Sequence, residues 1–162
     1  MSDSQSSTQA GSDPLDQMVC FALYAAARAT NRRYVALLKP WGLTYPQYLV
    51  LVLLWSRQSL AVKDIAENLK LDSGTTSPLI RRLEGRGFLT RERSAGDERA
   101  VIVTLTQAGT VLREELAHIP GCILESTRLS LADGKSALSL LHNVAANLSS
   151  AAAPGDHPDE RP

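Results

Sequence analysis

LAVKDIAENL (Leu60–Leu69), KLD (Lys70–Asp72) and SGTTSPLIRRLE (Ser73–Glu84) decide the fold. The first segment reads as a short amphipathic helix, the second as a tight turn, and the third as another helix closed by Gly85 and Gly87. Phe88–Arg93 and Ala100–Leu105 then alternate like strands, joined by a tip at Ser94-Ala95-Gly96-Asp97-Glu98. Two short helices joined by a three-residue turn and followed by a hairpin have the order of a winged helix-turn-helix. In that geometry the second helix enters the major groove, and the hairpin runs along the backbone or into the minor groove.

The residues suit those tasks. Ser73, Thr75, Thr76 and Ser77 place small hydroxyls near a helix start, and Arg81 and Arg82 reach for phosphates or guanine edges. The hairpin carries Arg91, Arg93 and Arg99. Pro78 conflicts with a purely local reading, because a proline deep in a helix costs ~3 kcal/mol. Local rules start the helix near Ser77, whereas the helix-turn-helix reading starts it near Ser73. Either way the polar residues before Pro78 lie at a helix start suited to phosphate. The competing reading is an ordinary α+β domain with solvated arginines.

Outward from this centre the pattern is mostly helical. Leu15 to about Leu38 predicts a long helix with a broad apolar face, ended by Lys39-Pro40-Trp41-Gly42. Thr44 is placed to cap the next helix, with Pro46 just inside its start. That helix is apolar nearly all round, which predicts burial. Thr106 caps a further helix, which Pro120-Gly121 kinks or breaks just before Cys122, and Leu131–Leu148 is the last. Residues 1–13 and 149–162 read as disordered tails flanking one domain, 14–148.

The chain has 162 residues, is 44% hydrophobic and carries a formal net charge of zero. It can therefore fill a core, and bulk charge says nothing of nucleic acid. Locally, 17–62 lacks Asp and Glu but holds Arg28, Arg32, Arg33, Lys39 and Arg57. The polar start has no apolar core, so no signal peptide is expected, and no apolar run approaches a membrane span. A cytoplasmic chain with reduced thiols follows. His118 and Cys122 stand four apart, but no third or fourth ligand accompanies them, so neither metal nor cofactor is expected. No Ser/His/Asp set, phosphate loop or carboxylate pair stands out, and no enzyme is expected.

Cys20 is one of two cysteines. Tyr24, Tyr34 and Tyr45 follow it at four, fourteen and twenty-five residues. A thiolate, rather than a thiol, attacks a peroxide O–O bond, and tyrosine hydroxyls can donate hydrogen bonds to it. Attack gives a sulfenic acid, which a second thiol can condense into a disulfide. Cys122 is the only other thiol in the chain.

The stretch Leu43–Glu84, together with RSAGDERAVIVTLTQAG (Arg93–Gly109), resembles the MarR family of bacterial transcription regulators. VCFALYAAAR (Val19–Arg28) with TYPQY (Thr44–Tyr48) narrows the resemblance to the organic-hydroperoxide-sensing, OhrR-type repressors. The likeness covers about residues 15–148. It implies a mainly α fold with a small β-hairpin wing: a winged helix-turn-helix (43–105) plus a helical dimerisation layer (14–42 and 106–148). It also implies a homodimer on a double-stranded, inverted-repeat operator, with organic hydroperoxides as inducer and no enzymatic activity. Cys20 matches the sensing cysteine. Tyr24, Tyr34 and Tyr45 match the tyrosines around it, with Tyr34 and Tyr45 reaching in from the other subunit. Cys122 matches the resolving cysteine of the two-cysteine subgroup. Ser73 to Arg82, Pro78 included, matches the recognition helix, and Asp97 with Arg99 the wing pair. Two rivals stand beside this: a regulator that answers a small aromatic ligand near Trp41–Tyr48 with Cys20 incidental, and a thiol peroxidase.

Overall fold

The computed structural model describes residues 13–94, 96 and 100–151. Of the expected tails 1–13 and 149–162, residues 1–12 and 152–162 lie outside the described residues, as do the wing-tip residues Asp97 and Arg99, while Asp13 caps a 3-10 turn and Ser149 and Ser150 belong to the last helix. Among the described residues seven α-helices run in the order α1 (Val19–Leu38), α2 (Tyr45–Arg57), α3 (Val62–Leu69), α4 (Ser73–Gly85), α5 (Gln107–Glu115), α6 (Ile119–Thr127) and α7 (Leu131–Ser150). Three strands, β1 (Ser59–Ala61), β2 (Leu89–Arg93) and β3 (Val101–Leu105), form an antiparallel sheet with β3 in the middle. The chain divides into two compact units, one up to Ile123 and one from Leu124 onward.

The first unit holds the core. Leu38, Leu43, Tyr48, Leu51 and Leu54 pack with Ile65 of α3, Ile80 and Leu83 of α4, Leu89 and Val103 of the sheet, and Leu112, Leu116 and Ile119. The helix starts are chemically fixed. Thr44 accepts from the Gln47 N–H, and the Gln47 side chain accepts from the Thr44 N–H, closing a capping box on α2. The Thr106 side chain accepts from the Gly109 N–H at 3.1 Å and starts α5. In the second unit the Ser130 hydroxyl accepts from the Asp133 N–H at 3.1 Å and starts α7.

Four local expectations need correction. The first long helix does not run unbroken from Leu15. Asp13 caps a 3-10 turn at Pro14–Gln17, Met18 is extended, and α1 begins at Val19. The segment after α2 does not begin as helix. Gln58 takes a positive φ of 63° and redirects the chain, so that Leu60 pairs with Val103 and a third strand is added to the expected hairpin. The break before Cys122 lies at 116–118, ahead of Pro120. Pro120 occupies the first turn of α6, where its missing N–H costs nothing, and Cys122 sits inside that helix. Lastly, α2 is not wholly buried, since Val52 is exposed.

Candidate DNA-reading surface and thiol–tyrosine constellation

The α4 helix starts at Ser73, as the helix-turn-helix reading requires. The Asp72 carboxylate accepts from the Thr75 N–H and the Thr75 hydroxyl, both at 2.8 Å. These bonds hold the Asp72 carboxyl below the usual 3.8. Lys70 at φ 55° makes the turn that brings α4 across α3. Pro78 lies within α4, where it cannot donate to the Gly74 carbonyl. Buried Thr76, Ile80 and Leu83 anchor the helix on either side of that gap.

Ser73, Thr75, Pro78, Arg81 and Arg82 are exposed on α4, and Ser77 is half-buried. Thr76 departs from expectation. It is fully buried and its hydroxyl donates to the Asp72 carbonyl at 2.9 Å, so it presents no surface to DNA and serves the helix start instead. Arg91 is likewise engaged inside the fold, binding Glu84 through Nε at 2.8 Å and Nη2 at 2.7 Å and fastening β2 to α4. Arg93 is exposed at the end of β2.

The break at Met18 relocates Cys20. It becomes the second residue of α1, in the turn whose N–H groups have no intrahelical acceptor and whose dipole favours an anion. The residues that signal this are Asp13 and Pro14, a cap followed by proline, which the apolar periodicity from Leu15 masked. Cys20 is exposed in the chain and Cys122 is half-buried, with no disulfide in either. Tyr24 is exposed, and its hydroxyl accepts from Arg28 Nη1 at 2.9 Å.

Tyr34 and Tyr45 lie elsewhere. Their rings stack at 3.9 Å, with Tyr48 5.7 Å from Tyr34 and Trp55 5.9 Å from Tyr48. Burial, with Tyr45 and Tyr48 close by, pushes the Tyr34 phenol up to about 12, so it stays a proton donor at neutral pH. At 1.5 Å per residue, Tyr34 lies about 21 Å along α1 from Cys20. One chain therefore sets Cys20 and Tyr24 one turn apart at the start of α1, with the Tyr24 hydroxyl on Arg28, and stacks Tyr34 on Tyr45 elsewhere, but does not join the two pairs. A groove of about 420 Å³ is lined by Tyr48, Val52, Trp55, Ser56, Arg113, Leu116 and Pro120 among others, and neither Tyr34 nor Tyr45 is in its wall.

The MarR family model matches residues 43–101, which span α2 to β3. The chain is 44% identical over 130 residues to the organic hydroperoxide resistance transcriptional regulator of Bacillus subtilis (strain 168), covering 80% of this chain and 88% of that protein. The chain belongs to the MarR family. Among solved structures it is similar to reduced AbfR bound to DNA, with TM-score 0.70, 34% identity and coverage of 83% of this chain and 94% of that one. AbfR is a Staphylococcus epidermidis protein. Its disulfide-formed structure is similar with TM-score 0.58 and 30% identity over 83% of this chain and 90% of that one. This MarR-family chain is thus a DNA-binding transcriptional regulator rather than an enzyme, and the peroxidase rival falls. Among the described residues no helix is long and apolar enough to cross a membrane.

Proposed function

We propose that the chain is a redox-sensing repressor that binds an inverted-repeat operator as a homodimer and leaves it when an organic hydroperoxide oxidises Cys20. The observation that carries the reading is the division of the thiol site. Cys20 and Tyr24 stand at the open start of α1, while stacked Tyr34 and Tyr45 stand at its other end. An antiparallel second copy of α1 would place each pair against its complement. The exposed apolar residues of α1, among them Val19 and Val35, and separately those of α7, among them Leu138 and Leu140, leave apolar faces for a second copy to cover. The 44% identity to a regulator of organic hydroperoxide resistance supports the same chemistry.

The steps balance. The Cys20 thiolate attacks the outer oxygen of ROOH, the O–O bond breaks, the alkoxide takes a proton and leaves as ROH, and Cys20 becomes a sulfenic acid. The Tyr34 phenol, protonated at neutral pH, donates to the thiolate and then to the leaving oxygen. Cys122 of the second subunit then attacks the sulfenic sulfur, water departs, and an intersubunit disulfide forms. The strain of closing it moves the winged helices off their half-sites.

Exposure to tert-butyl hydroperoxide followed by a non-reducing gel tests this. The wild type should give a dimer-sized band, absent in Cys20→Ser and in Cys122→Ser. Oxidised Cys20 without the band would remove Cys122 from the mechanism and leave an external thiol to resolve the sulfenic acid. An unreactive Cys20 would sink the redox reading.

A further inference from the structure

Arg86 directly follows α4 as its C-cap residue. Its Nη1 donates to the carbonyl of Gly42 at 3.1 Å, its Nη2 donates to the carbonyl of Trp41, and its Cζ lies 4.9 Å from the centre of the Phe88 ring. Those carbonyls belong to the elbow that ends α1. There Gly42 takes φ 57°, its N–H bonds the Lys39 carbonyl at 2.9 Å, and the Leu43 N–H reaches back to the Leu38 carbonyl at 3.4 Å. The elbow is held from the other side as well, since the Trp41 indole N–H donates to Glu115 at 2.6 Å and its ring faces His118 at 5.9 Å. An arginine fork that spans two successive carbonyls constrains orientation as well as distance.

We propose that Arg86 is a positioning residue for DNA reading, a strut that fixes the angle between α4 and α1 through the Trp41 and Gly42 carbonyls, and that it makes no phosphate contact. The proposal rests on α4 being the recognition helix. An arginine at the foot of a recognition helix would otherwise be counted among the phosphate binders. Here two of the five guanidinium N–H groups are directed at backbone oxygens and the flat face is on Phe88, which holds this exposed side chain against the elbow. Its effect on affinity comes from holding α4 at one angle before DNA arrives, which spares the complex the entropy of fixing it.

Arg86→Gln, Arg86→Lys and Arg81→Gln are compared with wild type on the duplex that the wild-type chain selects from a randomised library, over a series of salt concentrations. Active concentrations are set by stoichiometric titration, so that a misfolded fraction does not count. Both Arg86 variants should bind about tenfold more weakly, because a lysine cannot span two carbonyls, with an unchanged slope of log K against log salt. Arg81→Gln should reduce the slope by about 0.9 for a lost phosphate. A slope reduced at Arg86→Gln and restored by lysine would overturn the strut and make Arg86 a phosphate contact. Unchanged affinity at Arg86 beside a weakened Arg81→Gln overturns the strut and leaves α4 as reader. Unchanged affinity in both overturns both.

Discussion

The winged part of the chain and the two 20-residue helices α1 and α7 obey different rules. From α2 to α5 every element contributes a buried residue or pairs in the sheet, and the core closes within one chain. By contrast α1 buries only Leu38, its last residue, and none of the residues of α7 is buried. Val19 is 69% exposed, Leu131 76% and Leu140 64%. Apolar surface left in water forfeits about 25 cal/mol per Å². Leucines kept there are what the proposed second copy would cover. The wing is specified by contacts inside the chain, and the long helices, under the proposed dimer, by contacts outside it.

A single glycine in each region gives the sharpest way to break this contrast. A Cβ on Gly109 of α5 would lie 2.0 Å from the Phe88 carbonyl oxygen and 2.8 Å from Leu105 Cδ2, while the Gly109 carbonyl already accepts from the Trp55 indole at 2.8 Å. Backbone would have to move, so Gly109→Ala should cost about 3 kcal/mol in denaturant unfolding. A Cβ on Gly134 of α7 meets nothing within 4 Å. There the same change should stabilise the helix by about 0.5–1 kcal/mol, through reduced chain entropy and higher helix propensity. Equal effects at the two sites would break the comparison.

Next in size is Leu140→Ser on α7. Loss of a covered leucine is worth about 2 kcal/mol per chain. Both copies of the proposed homodimer carry the change, about 4 kcal/mol together, so sedimentation should show dimers that dissociate at protein concentrations roughly a thousandfold higher than for wild type. Unfolding of the winged part, followed through Trp41 and Trp55, should stay where it was once the dimer has come apart. A dimer indifferent to Leu140→Ser would mean that this face of α7 is not what the second copy covers.

The winged part was also the more legible in sequence, for the same reason. Thr44 ahead of Gln47 and Thr106 ahead of Gly109 are local signals whose partners sit three residues away, so those helix starts could be read off directly, whereas the Asp72 cap was hidden by Pro78, which drew the local reading to Ser77. What escaped depended on distant or competing partners. Leu60 looks helical until Val103 arrives to pair with it. Thr76 looks like a groove hydroxyl until the packing of α4 turns it inward. Arg91 looks like a wing cation until Glu84 is found beside it. The Asp13 cap and extended Met18 that bring Cys20 to a helix start were hidden under an apolar period that continues through them. The gathering of Cys20 with three tyrosines was implied by the family resemblance alone; one chain separates them into two pairs, and no pattern along a sequence carries the contacts of a second copy.

The smallest expected effect separates the two regions by their caps. The start of α4 is held by a carboxylate, Asp72, whereas the start of α7 is held by the Ser130 hydroxyl. The Thr75 hydroxyl and N–H hold the Asp72 carboxyl below 3.8 in the folded chain. A depressed folded value means that the unfolded chain takes up the proton first. The contribution of Asp72 is therefore complete above 3.8 and is lost as the pH falls through the lower, folded value. Asp72→Asn keeps an acceptor that can cap and removes only the charge. The difference in urea midpoint between wild type and Asp72→Asn should shrink on acidification below 3.8. A constant difference for Asp72→Asn would mean that the Thr75 bonds do not discriminate carboxylate from amide, and that the start of the DNA-reading helix is held by geometry alone.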